Sequence, residues 1–232
     1  MYYIIYKMNI TLYYSFYITY AFLVTTGTIT FIESLRTNIV PMRHILNLET
    51  CISIVAAFFY GNFINKLKDK KDHVDDETLQ NEINDNRYVD WMITTPIMLL
   101  VLILAFQYNA GLKGVKFIDF LWILFFNYGM LGSGYLGEKN VIHKPSANVI
   151  GFGFFAMLYG FLYYTYFIKS KKGNNPTNQL LYLAFLILWA FYGIFYLMKE
   201  NIKNAGYNIL DLLSKCFVGI YFWTYSSSIF VD

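Results

Sequence analysis

Seven apolar runs, each near the length of a bilayer crossing, constrain this chain more than any other feature. They cover roughly residues 10–32, 43–65, 88–108, 115–137, 147–168, 179–198 and 206–230. A spanning helix needs about 20 apolar residues. Inside lipid the backbone must satisfy its own hydrogen bonds, which leaves only helices and closed barrels. Runs of this length predict helices. The expected fold is all-α: one domain over residues 1–232, a bundle of seven transmembrane helices. Composition agrees, since 57% of residues are hydrophobic and only 14% are charged, too few to cover a soluble globule. Aromatics at 21% exclude disorder. Cys51 and Cys216 lie in apolar runs and form neither a disulfide scaffold nor a metal cluster. The net charge of +3 is scattered, so no nucleic-acid footprint is visible. A lipid-embedded protein that is not an enzyme fits these constraints.

The breaks hold the polar residues: Pro41 to His44, Gly111 to Lys116, Glu138 to Pro145, and Lys169 to Pro176. The first run lacks a small-residue cleavage site and is long enough to span, so it reads as a helix rather than a leader. Residues 66–86 are rich in acidic groups and read as a solvated loop. Asp72, Asp75, Asp76 and Glu77 invite a calcium reading, but the glycine and terminal glutamate of an EF-hand loop are missing. Lys and Arg divide almost evenly between the two sides, so charge alone sets no orientation.

Five charged residues sit deeper than the breaks: Glu49, Arg87, Asp90, Asp211 and Lys215. A charge at the centre of a spanning helix costs roughly 2.5–3.5 kcal/mol even on gentle scales. Lys215 is too far from either end of its run to snorkel, so it needs a partner or a chemical modification. Asp211 is four residues earlier, on the same helix face. Arg87, Asp90 and Thr94 share a face of the third helix. If the two faces meet, two cations oppose two anions and the cluster is neutral. The bland alternative is two unrelated polar pairs tying helices together. A buried lysine beside carboxylates and aromatics is also the setting for a Schiff base with an aldehyde, with the aromatics walling a rigid conjugated ligand.

Ordered motifs then carry a resemblance. The third run reads RYVDWMITTP at 87–96, the seventh LDLLSK at 210–215, the sixth LWAFYG at 188–193, the fourth NYGMLGSG at 127–134 and the fifth AMLY at 156–159. The chain resembles the microbial, type-1 rhodopsins, and among them the viral rhodopsins of large algal and protist viruses. The resemblance implies a bacteriorhodopsin-like bundle with all-trans retinal bound covalently. Lys215 would form the Schiff base. Asp90 would be counterion and proton acceptor, Asp211 the second counterion, and Arg87 their stabiliser from the outer side. Thr94 would bond Asp90, and Tyr60 and Tyr192 would bond Asp211. Trp91 and Trp189 would sandwich the polyene, with Tyr88, Thr95, Met130, Gly134, Tyr192 and Tyr196 lining the pocket. It also implies an N-terminus outside, a C-terminus inside, and the acidic segment 66–86 facing outward. Homo-oligomers are common in the family.

Several positions depart from the family pattern. Val101 stands where outward proton pumps often have a second carboxylate, and Asn127 where they have an aspartate. Lys203 replaces a common release glutamate, with Glu200 nearby. Gly193 replaces a proline, and Ile150 a tryptophan, so one pocket side should be less aromatic. Glu49, in NLETC of the second helix, reads as a displaced proton donor, as an inner gate with residues such as Ser15 or Ser214, or as a neutral glutamate bonded to a neighbour. The expected function is light-driven movement of small cations (H+, Na+, K+) across the bilayer, favoured as a light-gated cation channel. A light-driven outward proton pump is the alternative, and a sensor signalling through a partner the next.

Overall fold

The computed structural model describes residues 10–69 and 76–229. Among them are seven long helical rods. These are α1 (Ile10–Arg36), α2 (Val40–Asp69), α3 (Asp76–Asn109), α4 (Phe117–Glu138), α5 (Lys144–Tyr163), α6 (Pro176–Tyr196) and α7, which runs as Glu200–Asp211, Leu212–Phe217 and Val218–Ser227. The rods alternate in direction. We call the end where α1 begins the upper end and the end where it finishes the lower end.

Local chemistry sets several boundaries. α6 starts where Asn175 Oδ1 accepts the backbone N–H of Asn178 at 3.0 Å, with Pro176 as first helical residue. α5 also has a proline in its first turn. α7 stops at Ser228, which takes a left-handed conformation with φ 49°. The middle piece of α7, Leu212–Phe217, is a π-turn that carries Lys215, and such turns cluster at functional sites.

Two differences from the sequence reading follow. Residues 66–86 are mostly helix: α2 continues to Asp69 and α3 begins at Asp76. Charged side chains on a helix extending beyond the apolar layer are solvated as well as on a loop, so composition could not separate the two. Asp72 and Asp75 lie outside the described residues, as do the side chains of Asp76 and Glu77. Second, only six rods are long and apolar enough to read as spans by length and composition. α7 carries its charges inside the bundle, which lowers its apolar score.

The exterior is apolar. Phe117, Val149, Leu35 and Leu180 are 74%, 72%, 70% and 67% exposed, an arrangement suited to lipid rather than water. The interior divides in two. An aliphatic and aromatic cluster that includes Met42, Leu46, Leu99, Leu102, Phe106, Leu158, Phe185 and Phe222 fills much of the lower half. Leu12, Phe16, Leu23, Tyr60, Phe63, Leu79 and Ile83 form a second cluster.

Candidate functional site

The five deep charges do not behave alike. Four converge. Lys215 Nζ donates to Asp90 Oδ2 at 2.7 Å and lies 3.4 Å from Asp211 Oδ1. Arg87 Nη1 is 3.6 Å from Asp211 Oδ2. All four are at most 1% exposed. Two cations thus face two carboxylates, and the group is neutral where isolated charge would be most costly. The geometry corrects the detail, because Arg87 pairs with Asp211 rather than with both acids. Its Nη2 donates to Asn208 Oδ1 at 2.8 Å and Asn204 Oδ1 at 3.2 Å, and its guanidinium lies over the rings of Phe16, Tyr60, Phe63 and Tyr207.

Tyr60 donates to Asp211 Oδ2 at 2.8 Å and Tyr192 to Asp211 Oδ1 at 2.7 Å, so Asp211 is held from three sides. Asp90 is less well held: its Oδ1 has no hydrogen-bond partner. Thr94 bonds the backbone carbonyl of Asp90 at 2.9 Å, not its carboxylate. Bonding back one turn along its own helix is the habit of threonine inside a helix.

Beside this group lies an apolar cavity with an empty volume of about 750 Å³, its open mouth included. Its lining includes Lys215, Tyr88, Trp91, Thr95, Met130, Gly134, Trp189, Tyr192 and Tyr196, every pocket residue expected from sequence. An amine at one wall, two indoles and a mostly apolar surface fit a hydrophobic aldehyde. Sequence reasoning missed Phe152, Phe155, Gly151, Asn148 and Tyr207, which also line it. Ile150 corrects an expectation. It is 47% exposed and does not line the cavity, so its side chain removes nothing from that wall. Gly193 has a physical reason: a Cβ there would lie 2.6 Å from the Phe152 ring, so the aromatic occupies space a larger residue would take.

Glu49 stands apart from the four converged charges. It is 2% exposed, and its Oε2 has no hydrogen-bond partner among the described residues. The expected companions are elsewhere. Ser15 accepts from Asn208 Nδ2 at 2.9 Å in the upper half, and Ser214 shares a 3.1 Å hydrogen bond with Tyr192. Glu49 instead meets Gly219 of α7, where a Cβ would lie 3.3 Å from Oε2 and 2.6 Å from Thr26 Cγ2. Asn127, the aspartate replacement, donates to Thr95 Oγ1 at 2.8 Å.

Lys203 carries a further cluster that its position in the sequence did not reveal. Its Nζ, fully buried, reaches Glu138 Oε1 at 2.9 Å and Glu200 Oε1 at 2.8 Å. Lys144 lies 3.5 Å from both carboxylates, and Asn84 donates to Glu200 Oε2 at 3.1 Å. This second neutral group joins α3, α4, α5 and α7 at the upper end.

The site is therefore a buried lysine–carboxylate pair beside an apolar cavity, inside a bundle suited to a membrane. Residues 11–229 match the family model for bacteriorhodopsin-like proteins, and the chain belongs to that family. Its members bind retinal, and the chain is a multi-pass integral membrane protein. Among solved structures, the viral rhodopsin OLPVRII is 58% identical, with a TM-score of 0.85 over 95% of this chain and 99% of that one. Rhodopsin I of Acetabularia, 19% identical with a TM-score of 0.76 over 96% of each chain, shares the fold. The green-light absorbing proteorhodopsin of Gamma-proteobacterium EBAC31A08 is 24% identical over 59% of this chain and 59% of its own length. The bacteriorhodopsin of Halobacterium salinarum is 26% identical over 61% and 56%. The chain therefore matches less than two thirds of the length of these two relatives.

Proposed function

We propose that this protein holds retinal on Lys215 and uses light to move protons outward through the bundle, with the N-terminus and the upper end facing outside. The observation that carries this reading is the 2.7 Å contact between Lys215 Nζ and Asp90 beside the apolar cavity. When bound, retinal supplies a light-driven isomerisation that changes the placement of the Lys215 nitrogen relative to its acceptor. The residues do the rest. Asp90, with one oxygen uncommitted, takes a proton from Lys215 Nζ. Asp211, bonded by two tyrosines and paired with Arg87, stays fixed in place beside it. Glu49 lies among α1, α2 and α7 below this group, with no cation in ion-pair range among the described residues. A lone buried carboxyl group is less costly carrying its proton than without it, which suits Glu49 to return a proton to Lys215 Nζ. Trp91 and Trp189 confine the ligand and exclude water.

The light-gated cation channel is the second reading, favoured by the polar groups around Glu49. The upper half argues for protons instead. Arg87 fills the path with a bound cation and four aromatic rings, which Na+ or K+ would have to displace. A proton can pass by exchange between hydrogen-bonded groups without opening a pore. Patch-clamp currents in a cell membrane under light decide between them. The pump gives outward current with no gradient and no applied voltage; a current that vanishes there and reverses with the gradient overturns it. Sensory signalling has no supporting feature among the described residues.

A further inference from the structure

The lower half holds a second buried carboxylate, Glu33, which neither the sequence motifs nor the site above uses. It is 5% exposed and accepts a hydrogen bond from Ser226 of α7 at 3.2 Å. On α1, Thr26, Thr30 and Glu33 fall at i, i+4 and i+7, one face of the helix. That face is buried throughout: Thr26 and Thr30 are 0% exposed. Thr30 meets Thr50 of α2 across a 2.9 Å hydroxyl contact, and Thr50 adjoins Glu49 in sequence. Gly219 leaves room at the same level, since a Cβ there would crowd Glu49 Oε2, Thr26 and Thr30 together. Three polar atoms around this level, Thr26 Oγ1, Glu49 Oε2 and Ser53 Oγ, are buried without hydrogen-bond partners among the described residues. Buried polar groups of this kind are normally satisfied, by water if by nothing else. Glu33 sits three residues below Thr30, about 4.5 Å along the axis, with a small part of its surface open.

We propose that Glu33 is the proton inlet of the lower half, passing protons along a hydrated seam formed by Thr30 and Thr50 to Glu49. The step is a proton exchange and balances by itself. The Glu33 carboxyl O–H bond breaks as its proton enters the water and hydroxyl chain, a proton from that chain forms the O–H bond on the Glu49 carboxylate, and Glu33 is reprotonated from the lower aqueous phase. Among the described residues no cation lies within ion-pair range of the Glu33 carboxylate; the Arg43 guanidinium donates to the Thr37 carbonyl at 2.8 Å. This inference rests on the reading of Glu49 as proton donor.

The test separates the two. In membranes kept in the dark, the infrared C=O band assigned to Glu49 by its loss in Glu49→Gln is followed after transfer to D2O. Exchange that is about ten-fold slower in Glu33→Gln than in the native protein is expected, with Glu33→Asp restoring most of the rate. Glutamine keeps an oxygen for the Ser226 hydrogen bond, so a purely structural Glu33 predicts no change. Should Glu33→Gln fold poorly, Thr30→Val interrupts the seam without touching either carboxylate, and the same slowing is expected. Unchanged exchange in either variant overturns the inlet. Flash-induced recovery of the pigment is then compared in the same variants. Slow exchange with normal recovery keeps the inlet but removes Glu49 as donor, and slow recovery in both keeps both.

Discussion

The upper half of this bundle and the seam between α1, α2 and α7 below Lys215 treat polar groups in opposite ways. Above Lys215, almost every buried polar side chain is tied to another. Arg87 reaches Asp211, Asn204 and Asn208; Asn204 reaches Gln80; Asn208 reaches Ser15; and Thr19 bonds the Asn208 carbonyl. Arg87 Nε and Asp90 Oδ1 are the unpartnered atoms of that region. In that seam the hydroxyls of Thr30 and Thr50 turn back to their own helices and touch each other, and Glu49 Oε2 and Ser53 Oγ have no hydrogen-bond partner among the described residues. A closed network fixes positions and holds a charge in place. An open one leaves sites for water and lets a proton travel. That difference is what supports placing the proposed proton acceptor above and the proposed proton supply below.

Lys215→Ala offers the largest effect and tests the axis on which both halves meet. With all-trans retinal added it is expected to give no stable coloured pigment, read by absorption spectroscopy, while the native chain colours. Lys203→Met attacks the upper network at its end. It leaves the Glu138 and Glu200 carboxylates short of their buried cation, and breaking a buried pair costs roughly 3–5 kcal/mol. Thermal bleaching should move to much lower temperature, with Lys144 recovering part of the loss. Tyr192→Phe removes a hydrogen bond to the charged Asp211, worth roughly 1.5–3 kcal/mol, and denaturant titration of the pigment measures it. Ser53→Ala makes the matching change below. Its buried hydroxyl has no protein partner among the described residues, so a loss smaller than that of Tyr192→Phe is expected. A Ser53→Ala loss as large as that of Tyr192→Phe would erase the contrast between the two regions.

Much of the site was legible without the structure, and for a definite reason. Burial of charge in lipid is so costly that Arg87, Asp90, Asp211 and Lys215 had to find one another, and helical spacing left few ways to do so. The pocket residues followed from the resemblance, and all of them line one cavity. What escaped depended on facing directions. Ile150 points outward although its motif position suggested a wall. Ser15 and Ser214 went to the upper network rather than to Glu49, because bundle packing sets which helix faces meet, and a two-residue polar coincidence in sequence carries no such information. Lys203 precedes the seventh apolar run, where no sequence pattern marks burial, yet it is fully buried with Glu138 of α4 against it. The acidic stretch looked like a loop because helix and loop are equally polar outside lipid.

Seven long apolar runs determined the helices, and buried charge on two of them determined that a neutral lysine–carboxylate group would form. Those outcomes follow from the energetics of lipid, which act on each segment separately. Only the tertiary structure decided that Asp90 rather than Asp211 takes the short contact with Lys215, that Arg87 pairs with Asp211, and that Thr30 of α1 meets Thr50 of α2. Each of these depends on the rotation of one helix against another. Such rotations are set by the side chains of neighbouring helices together, so no single segment encodes them.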